Sequence, residues 1–288
     1  MTGKMPMNSA RTLLLTGTRS QLGVALEPKL RANGDKVVAV AQEKVPGFTA
    51  EEWVLGRLPD VAIPLHAYDA IVSFGPMEAL ATWLETLNAA PARRVVATSS
   101  MSAVSKHTAR FAEDRAIAQR LLAGEARLRA ACAKLEMPCL ILRPTMIYGL
   151  GLDQNLSAVA RGAMARRVFF APVSRGIRQP VHAEDVAEAA LRGSRVEPAL
   201  NETIEIGGGE RLTVREMFSR VHRSLPRATL HVPAPGFLLS ILALISKRFR
   251  GAVSRLNSDL TADNSRLRSA LAVEPRAFNP GHETWPKI

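Results

Sequence analysis

The sequence predicts an α/β fold: a doubly wound parallel sheet followed by a smaller C-terminal α+β region. Through the first half, short Val/Ile/Leu-rich runs alternate with amphipathic helical stretches, the pattern of a parallel sheet with a helix on each crossover. The first run, Leu13-Leu14-Leu15, passes into the glycine-containing turn Thr16-Gly17-Thr18-Arg19-Ser20-Gln21-Leu22-Gly23 and then into a helical pattern. After Gly149 the alternation gives way to helices separated by short, irregular strands.

Taken in order, Thr12–Thr16 reads as the first strand and Gln21–Ala32 as a helix stopped by Asn33-Gly34. The valine-rich stretch Lys36–Ala41 is the second strand, Trp53-Val54 marks a weak third, and Asp69–Phe74 is the fourth. Met77–Ala89 reads as a helix, Arg94–Thr98 as the fifth strand, Arg110–Leu135 as a long helix and Pro138–Arg143 as the sixth strand. Beyond the loop at Gly149, Gly151 and Asp153, helices are expected near Asn155–Arg166, Ala183–Arg192, Val214–Leu225 and Ala262–Ala270. Short strands fit Val168-Phe169-Phe170, Pro180-Val181 and Thr203–Ile206. The organisation is thus residues 11–153 as a first domain and 154–288 as a substrate-binding region, with part of 178–206 expected to pack back on the sheet.

Composition bounds the function. The chain has 288 residues, 47% of them apolar, enough to bury a large core. Its two cysteines, Cys132 and Cys139, do not form the framework of a stapled secreted fold. A formal charge of +12 favours anionic partners: phosphorylated ligands, nucleic acid or an anionic membrane. No zinc-finger spacing or RNA-binding signature accompanies the basic residues, so nucleic acid is disfavoured. The six histidines include no helical i, i+4 pair, and no metal site is expected.

The N-terminal stretch lacks the apolar core of a signal peptide, and the longest apolar run, Phe237–Ile245, is too short to span a bilayer. The expected location is cytoplasmic. The stretch Pro233–Arg250, apolar and then basic, adds the alternative of a peripheral contact with the inner membrane face through 235–250. An ordinary helix packed on the core reads from the same residues, and a homodimer is a further expectation.

The turn at 16–23 carries the first chemical signal. A glycine-rich turn between strand and helix lets backbone N–H groups approach a pyrophosphate, where the helix N-terminus favours negative charge. Gly17 and Gly23 hold the outer glycine positions, and Ser20 replaces the middle one. Ser20 is small and can donate to phosphate, although it puts a Cβ where the ligand would lie. The second strand ends at Val40-Ala41-Gln42 without the acid that would bind an NAD ribose. Arg19 in the turn and Lys44 beyond the strand suit the extra phosphate of NADP. The lean is to NADP over NAD.

By its ordered landmarks the chain resembles the extended, epimerase/dehydratase-like branch of the short-chain dehydrogenase/reductase superfamily. These are TGTRSQLG (16–23), YDAIVSF (68–74), RRVVATSS (93–100), LILRPTMIYG (140–149), GIRQPVHAEDVAEA (176–189) and NETIEIGGGERLT (201–213). The resemblance implies a Rossmann-type fold, a bound nicotinamide dinucleotide and a nucleotide sugar or related phosphorylated substrate. It assigns Gly17, Arg19, Ser20, Gln21, Leu22 and Gly23 to the pyrophosphate turn. It places Gln42 at the ribose end of the second strand, Phe74 and Gly75 along the adenosine ribose, and Pro144 to Ile147 beside the nicotinamide. Ser100 becomes the serine that hydrogen-bonds the reacting oxygen. Asn155 and Arg178 become substrate-binding residues, Arg178 gripping a diphosphate with its planar guanidinium.

One departure is central. The family transfers protons with a Tyr-x-x-x-Lys pair on the long helix, and no such pair exists here in any register. Aligning Glu125 with the family's helix glutamate puts Ile117 and Leu121 at the two positions. Candidates to replace the tyrosine are Lys106 and His107, just beyond Ser100, and Tyr148 in the IYG turn. His182 and Asp185 read as structural, at a helix start. Two functions therefore stand: an epimerase/dehydratase/reductase-like enzyme with an atypical site, or a non-catalytic NAD(P)-binding sensor or complex subunit.

Overall fold

The computed structural model describes residues 10–234 and 258–285. Its centre is a seven-stranded parallel sheet. In chain order the first part comprises β1 (Thr12–Thr16), α1 (Gln21–Ala32), β2 (Lys36–Ala41), β3 (Glu52–Leu55), β4 (Ala70–Ser73), α2 (Met77–Glu85), β5 (Val95–Thr98), α3 (Ser102–Ser105), α4 (Ala112–Lys134) and β6 (Cys139–Pro144). There follow β7 (Ile147–Tyr148), α5 (Leu156–Arg166), β8 (Val168–Pro172), β9 (Ile177–Arg178), β10 (Val181–His182), α6 (Ala183–Gly193), β11 (Thr203–Ile206), β12 (Leu212–Thr213), α7 (Val214–Arg223), β13 (Leu230–Ala234) and α8 (Ser265–Leu271).

The sheet order is β11-β6-β5-β4-β1-β2-β3. The chain leaves β1 toward β2 on one side and later returns to place β4 on the other. The carboxyl ends of β1 and β4 therefore flank the topological switch point, where open α/β sheets bind ligands. The strands read as continuous apolar runs because both faces are covered. Leu13, Leu15, Val37 and Ala39 point into one core with α1 and α6, while Leu14, Val38 and Val40 point into the other with α2 and α4. Leu14, Leu26, Ile71 and Leu84 are wholly buried, each contributing about 2 kcal/mol by removal from water.

The seventh strand comes from beyond residue 150. β11 pairs with β6 in register from Thr203–Ile141 to Ile206–Pro144, and α6 packs beside α1 under the same face. A separate core gathers Tyr148, Leu156, Phe169, Met217, Phe278 and Trp285 in the C-terminal region.

The helix expected over Met77–Ala89 stops at Glu85, because the Thr86 amide and hydroxyl both bond the Trp83 carbonyl oxygen and close the turn. Sequence reading also leaves β7, β9, β12 and β13 unread. Both cysteines are buried and free. Among the described residues no helix is long and apolar enough to cross a membrane. The stretch 235–250, read as a membrane-surface helix, lies outside the described residues.

Candidate functional site

The turn after β1 is shaped by close backbone approach. Gly17 has φ +76°, and a Cβ there would lie 2.6 Å from the Phe74 carbonyl carbon and 2.9 Å from the Gly75 nitrogen. A Cβ at Gly23 would lie 2.6 Å from the Thr18 carbonyl oxygen. The loop carrying Phe74 and Gly75 thus sits directly against the turn, tied at its base by Thr16 Oγ1 and Ser73 Oγ at 2.8 Å.

Ser20 answers for the missing middle glycine. Its φ of −69° and ψ of 155° are ordinary for a helix N-cap, so no glycine is required by conformation. Its Oγ donates to the Gly17 carbonyl at 2.7 Å and accepts from the Gly23 amide at 3.1 Å. The hydroxyl is folded back into the turn. The amides of Gln21 and Leu22 belong to the first turn of α1, where donors lack intrahelical partners, and that turn contains no acid. Main-chain donors, a helix N-terminus and two positions closed to any Cβ fit a dinucleotide pyrophosphate.

Beyond β2 lie one exposed ion pair and one side-chain hydrogen bond. Arg19 forms an ion pair with Glu43, and both side chains are mostly exposed. Gln42 Oε1 accepts from Arg57 Nη2 at 3.0 Å. Arg57 was not legible as a site residue, because only the pairing of β3 with β2 brings it there.

A cavity of about 640 Å³ opens between the carboxyl ends of β5 and β6 and helices α5 and α7. Ser100, Lys106, Asn155 and Arg178 all line it, although they come from separate stretches of chain. The Ser100 Oγ accepts the Ser102 amide at 3.1 Å, which leaves its proton to donate into the cavity. The Met101 amide bonds the Pro144 carbonyl at 2.9 Å and fixes this loop to the end of β6. Ile147, half-buried, packs against the core next to α1 and α6.

Lys106 Nζ lies 3.3 Å from Asp114 Oδ1, with side chains 12% and 6% exposed. This buried ion pair forms part of the cavity wall. Arg178 is 6% exposed, and its Nη1 donates to the carbonyls of Ile177 at 2.8 Å and Ser258 at 2.6 Å. Asn155 stands exposed at the start of α5, where Asp153 supplies the cap by accepting from the Asn155 and Ser157 amides, each at 3.0 Å.

Beneath Ser100, Glu125 on α4 accepts from Ser99 Oγ at 2.5 Å and from Arg143 Nε at 2.9 Å, and it is 4% exposed. This carboxylate, doubly held, keeps the Arg143 guanidinium charged and fixes the register of α4 against β5 and β6. Ile117 and Leu121, two turns and one turn before it, are half-buried on the same helix face.

The remaining candidates lie apart. His107 is exposed and is not among the lining residues. Tyr148 is 2% exposed, its ring edge-on to His182 at 5.1 Å and to Phe278 at 4.8 Å. Burial pushes its hydroxyl up to about 12, and it does not reach the cavity. Tyr148 is a core residue of the C-terminal region and does not supply a phenolate there. Among the described residues no group of three or more His, Cys, Asp or Glu is placed to hold a metal.

His182 caps α6, its Nδ1 accepting the Glu184 amide at 3.3 Å, and Asp185 holds Arg276 through its amide at 3.0 Å and Nε at 2.9 Å. Burial, aided by Arg276, lowers the His182 pKa below its ordinary value. The unfolded chain therefore binds the proton more readily. The stability contributed by neutral His182 is complete above about pH 6.5 and is lost as pH falls from there toward the lower folded-state value. Denaturant melts should show a smaller loss between about pH 7.5 and 5.5 for His182→Asn, which caps without titrating. Equal losses would take His182 out of the acid sensitivity.

Sequence reading missed Asp114, in the first turn of α4, as the partner of Lys106. It also missed Leu260 on the cavity wall, where Thr145 and Met146 of the Pro144 to Ile147 segment stand as well.

No protein-family model matches the chain. No curated protein matches it significantly. Solved structures do share the fold. UDP-glucuronic acid 4-epimerase from Bacillus cereus in complex with NAD is 14% identical, with 95% of this chain and 97% of that chain covered at a TM-score of 0.72. MoeE5 in complex with UDP-glucuronic acid and NAD is 20% identical, with 95% and 97% covered at a TM-score of 0.68. UDP-glucose 4-epimerase with UDP-glucose from Thermotoga maritima is 16% identical, with 95% and 96% covered at a TM-score of 0.67. The resemblance spans both the sheet and the C-terminal region.

Proposed function

We propose that the chain is an NAD(P)-dependent enzyme of the epimerase, dehydratase or reductase kind, acting on a nucleotide sugar or related phosphorylated substrate. One observation carries the reading: Ser100, Lys106, Asn155 and Arg178 line a single cavity at the carboxyl edge of the sheet, on the edge that also carries the Gly17–Gly23 turn. Solved structures of the same fold were obtained with NAD and UDP-sugars, which supports the same ligand classes here.

The bound dinucleotide would supply hydride transfer. The Gln21 and Leu22 amides hold its pyrophosphate, with Phe74 and Gly75 along the adenosine side and Pro144 to Ile147 along the nicotinamide side. Arg178 and Asn155 hold the substrate phosphates, and Ser100 donates a hydrogen bond to the reacting oxygen. Lys106, oriented by Asp114, is the proton carrier in place of the missing tyrosine. NADP is the favoured form. Its extra phosphate would meet Arg19, Lys44 and Arg57 near the end of β2, and the exposed Arg19–Glu43 pair gives way at little cost. A reducing, cytoplasmic setting accords with two buried thiols left free.

A second reading, a non-catalytic NAD(P)-binding sensor or subunit, is favoured by Ile117 and Leu121 on the helix face that carries Glu125. Fluorescence titration with NADPH and NADH, followed by a panel of UDP- and dTDP-sugars, separates the two. The enzyme reading expects NADPH to bind about fivefold or more tightly than NADH, by charge-assisted bonds to the extra phosphate. It also expects sugar turnover that Lys106→Met abolishes while dinucleotide affinity is kept. Tight binding without turnover on any sugar selects the sensor. No binding of either nucleotide refutes both.

A further inference from the structure

The ribbon of β8 and β13 breaks the usual rule for a surface strand. Phe169 and Ala171 face the core and are buried. On the opposite face, where polar side chains are expected, the parallel register sets Val168 beside Leu230 and Phe170 beside Val232, with Pro172 next along β8. Phe170 is 56% exposed, Leu230 67% and the adjoining Val173 49%. Contiguous exposed apolar surface of this kind marks an interaction site.

The charge around it is one-sided. Arg166 and Arg167 precede β8, and Arg227 precedes β13. Because the strands are parallel, and the Leu230 amide bonds the Arg167 carbonyl at 2.9 Å, all three stand at the same end of the ribbon. Arg175 follows β8. All four arginines are exposed, and none forms an ion pair among the described residues. The described stretches 154–183 and 217–234 hold eight arginines and no Asp or Glu; of these, Arg178 lines the cavity and Arg220 is paired with Glu210.

We propose that this face docks the protein on an anionic lipid bilayer, the Phe170–Leu230 face entering the headgroup–acyl boundary and the arginines meeting lipid phosphates. An apolar face rimmed by unneutralised cations matches that surface. Nucleic acid would use the arginines but not the exposed phenylalanine and leucine. A second copy would bring the same positive charge against itself.

Full-length protein is sedimented with vesicles of phosphatidylcholine alone or with about 30% phosphatidylglycerol, which supplies the negative surface potential. Expected is pelleting with the anionic vesicles only, reversed by about 0.5 M NaCl through screening. Phe170→Ser/Leu230→Ser and Arg166→Glu/Arg167→Glu are each expected to lower partitioning at least about tenfold. Both variants should keep the melting temperature and dinucleotide affinity of the parent, which separates lost docking from lost folding. Absence of pelleting with anionic vesicles overturns the proposal, as does pelleting that both variants retain. A lipid-free dimer abolished by Phe170→Ser/Leu230→Ser assigns the face to a second copy. A duplex-DNA complex lost only in Arg166→Glu/Arg167→Glu assigns the arginines to nucleic acid. Either result overturns it.

Discussion

Alanine at position 17 is expected to weaken dinucleotide binding by about 100-fold, equivalent to nearly 3 kcal/mol. The methyl group meets two obstacles. At φ +76° an L-residue is strained, by about 1 kcal/mol. The Cβ would also sit 2.6 Å from the Phe74 carbonyl carbon, and main-chain atoms cannot rotate aside as a side chain can. The end of β4 must shift, and with it the Phe74–Gly75 wall of the crevice. Gly34→Ala is the control: its φ is +70°, but nothing lies within 4 Å of the new methyl. It should lose about 1 kcal/mol of stability, from the backbone term alone, with affinity intact. NADPH titrations and thermal melts on both variants decide the matter; unchanged affinity in Gly17→Ala would remove the phosphate turn from the account.

Arg178→Ala is expected to lower kcat/KM for a nucleotide-diphosphate sugar by about 100-fold, since truncating one partner of a desolvated charge pair costs about 2–5 kcal/mol. Arg178 is 6% exposed, and its Nη1 is locked to the carbonyls of Ile177 and Ser258 at 2.8 and 2.6 Å. It therefore reaches a ligand already oriented. Arg178→Lys should recover little, because an ammonium cannot reproduce the planar fork. Dinucleotide affinity should stay unchanged, as Arg178 comes from β9 and not from the β1–α1 turn. UDP affinity measured by calorimetry gives the direct check. Undiminished UDP binding in a well-folded Arg178→Ala protein would dismiss the arginine as a phosphate ligand.

The sheet was legible because its strands obey a local rule. Leu13-Leu14-Leu15 and Val37–Val40 are apolar throughout, as strands buried on both faces must be, and glycine or asparagine marks their ends. β13 was not legible: Leu230–Ala234 includes His231 and Pro233, and only pairing with the distant β8 makes it a strand. The helix ending at Glu85 was read too long because Leu87 continues the apolar spacing past a stop made by threonine bonds. In the site, Ser100 and Arg178 came from the ordered landmarks and Asn155 from its place at the head of a helix, and all three line one cavity. The Lys106–Asp114 pair needed three dimensions, because a loop and the start of α4 must fold toward each other. Tyr148 looked available because IYG follows the nicotinamide segment, yet the turn presents that ring to Phe278.

The seventh strand has a consequence for biosynthesis. While only the first 150 or so residues have left the ribosome, β6 is an open edge and the apolar flank of α1 lacks its neighbour α6. Unpaired edges and uncovered apolar faces invite association with other chains. Until β11 and α6 emerge, the nascent first half keeps an unpaired strand edge at β6 and an uncovered flank on α1.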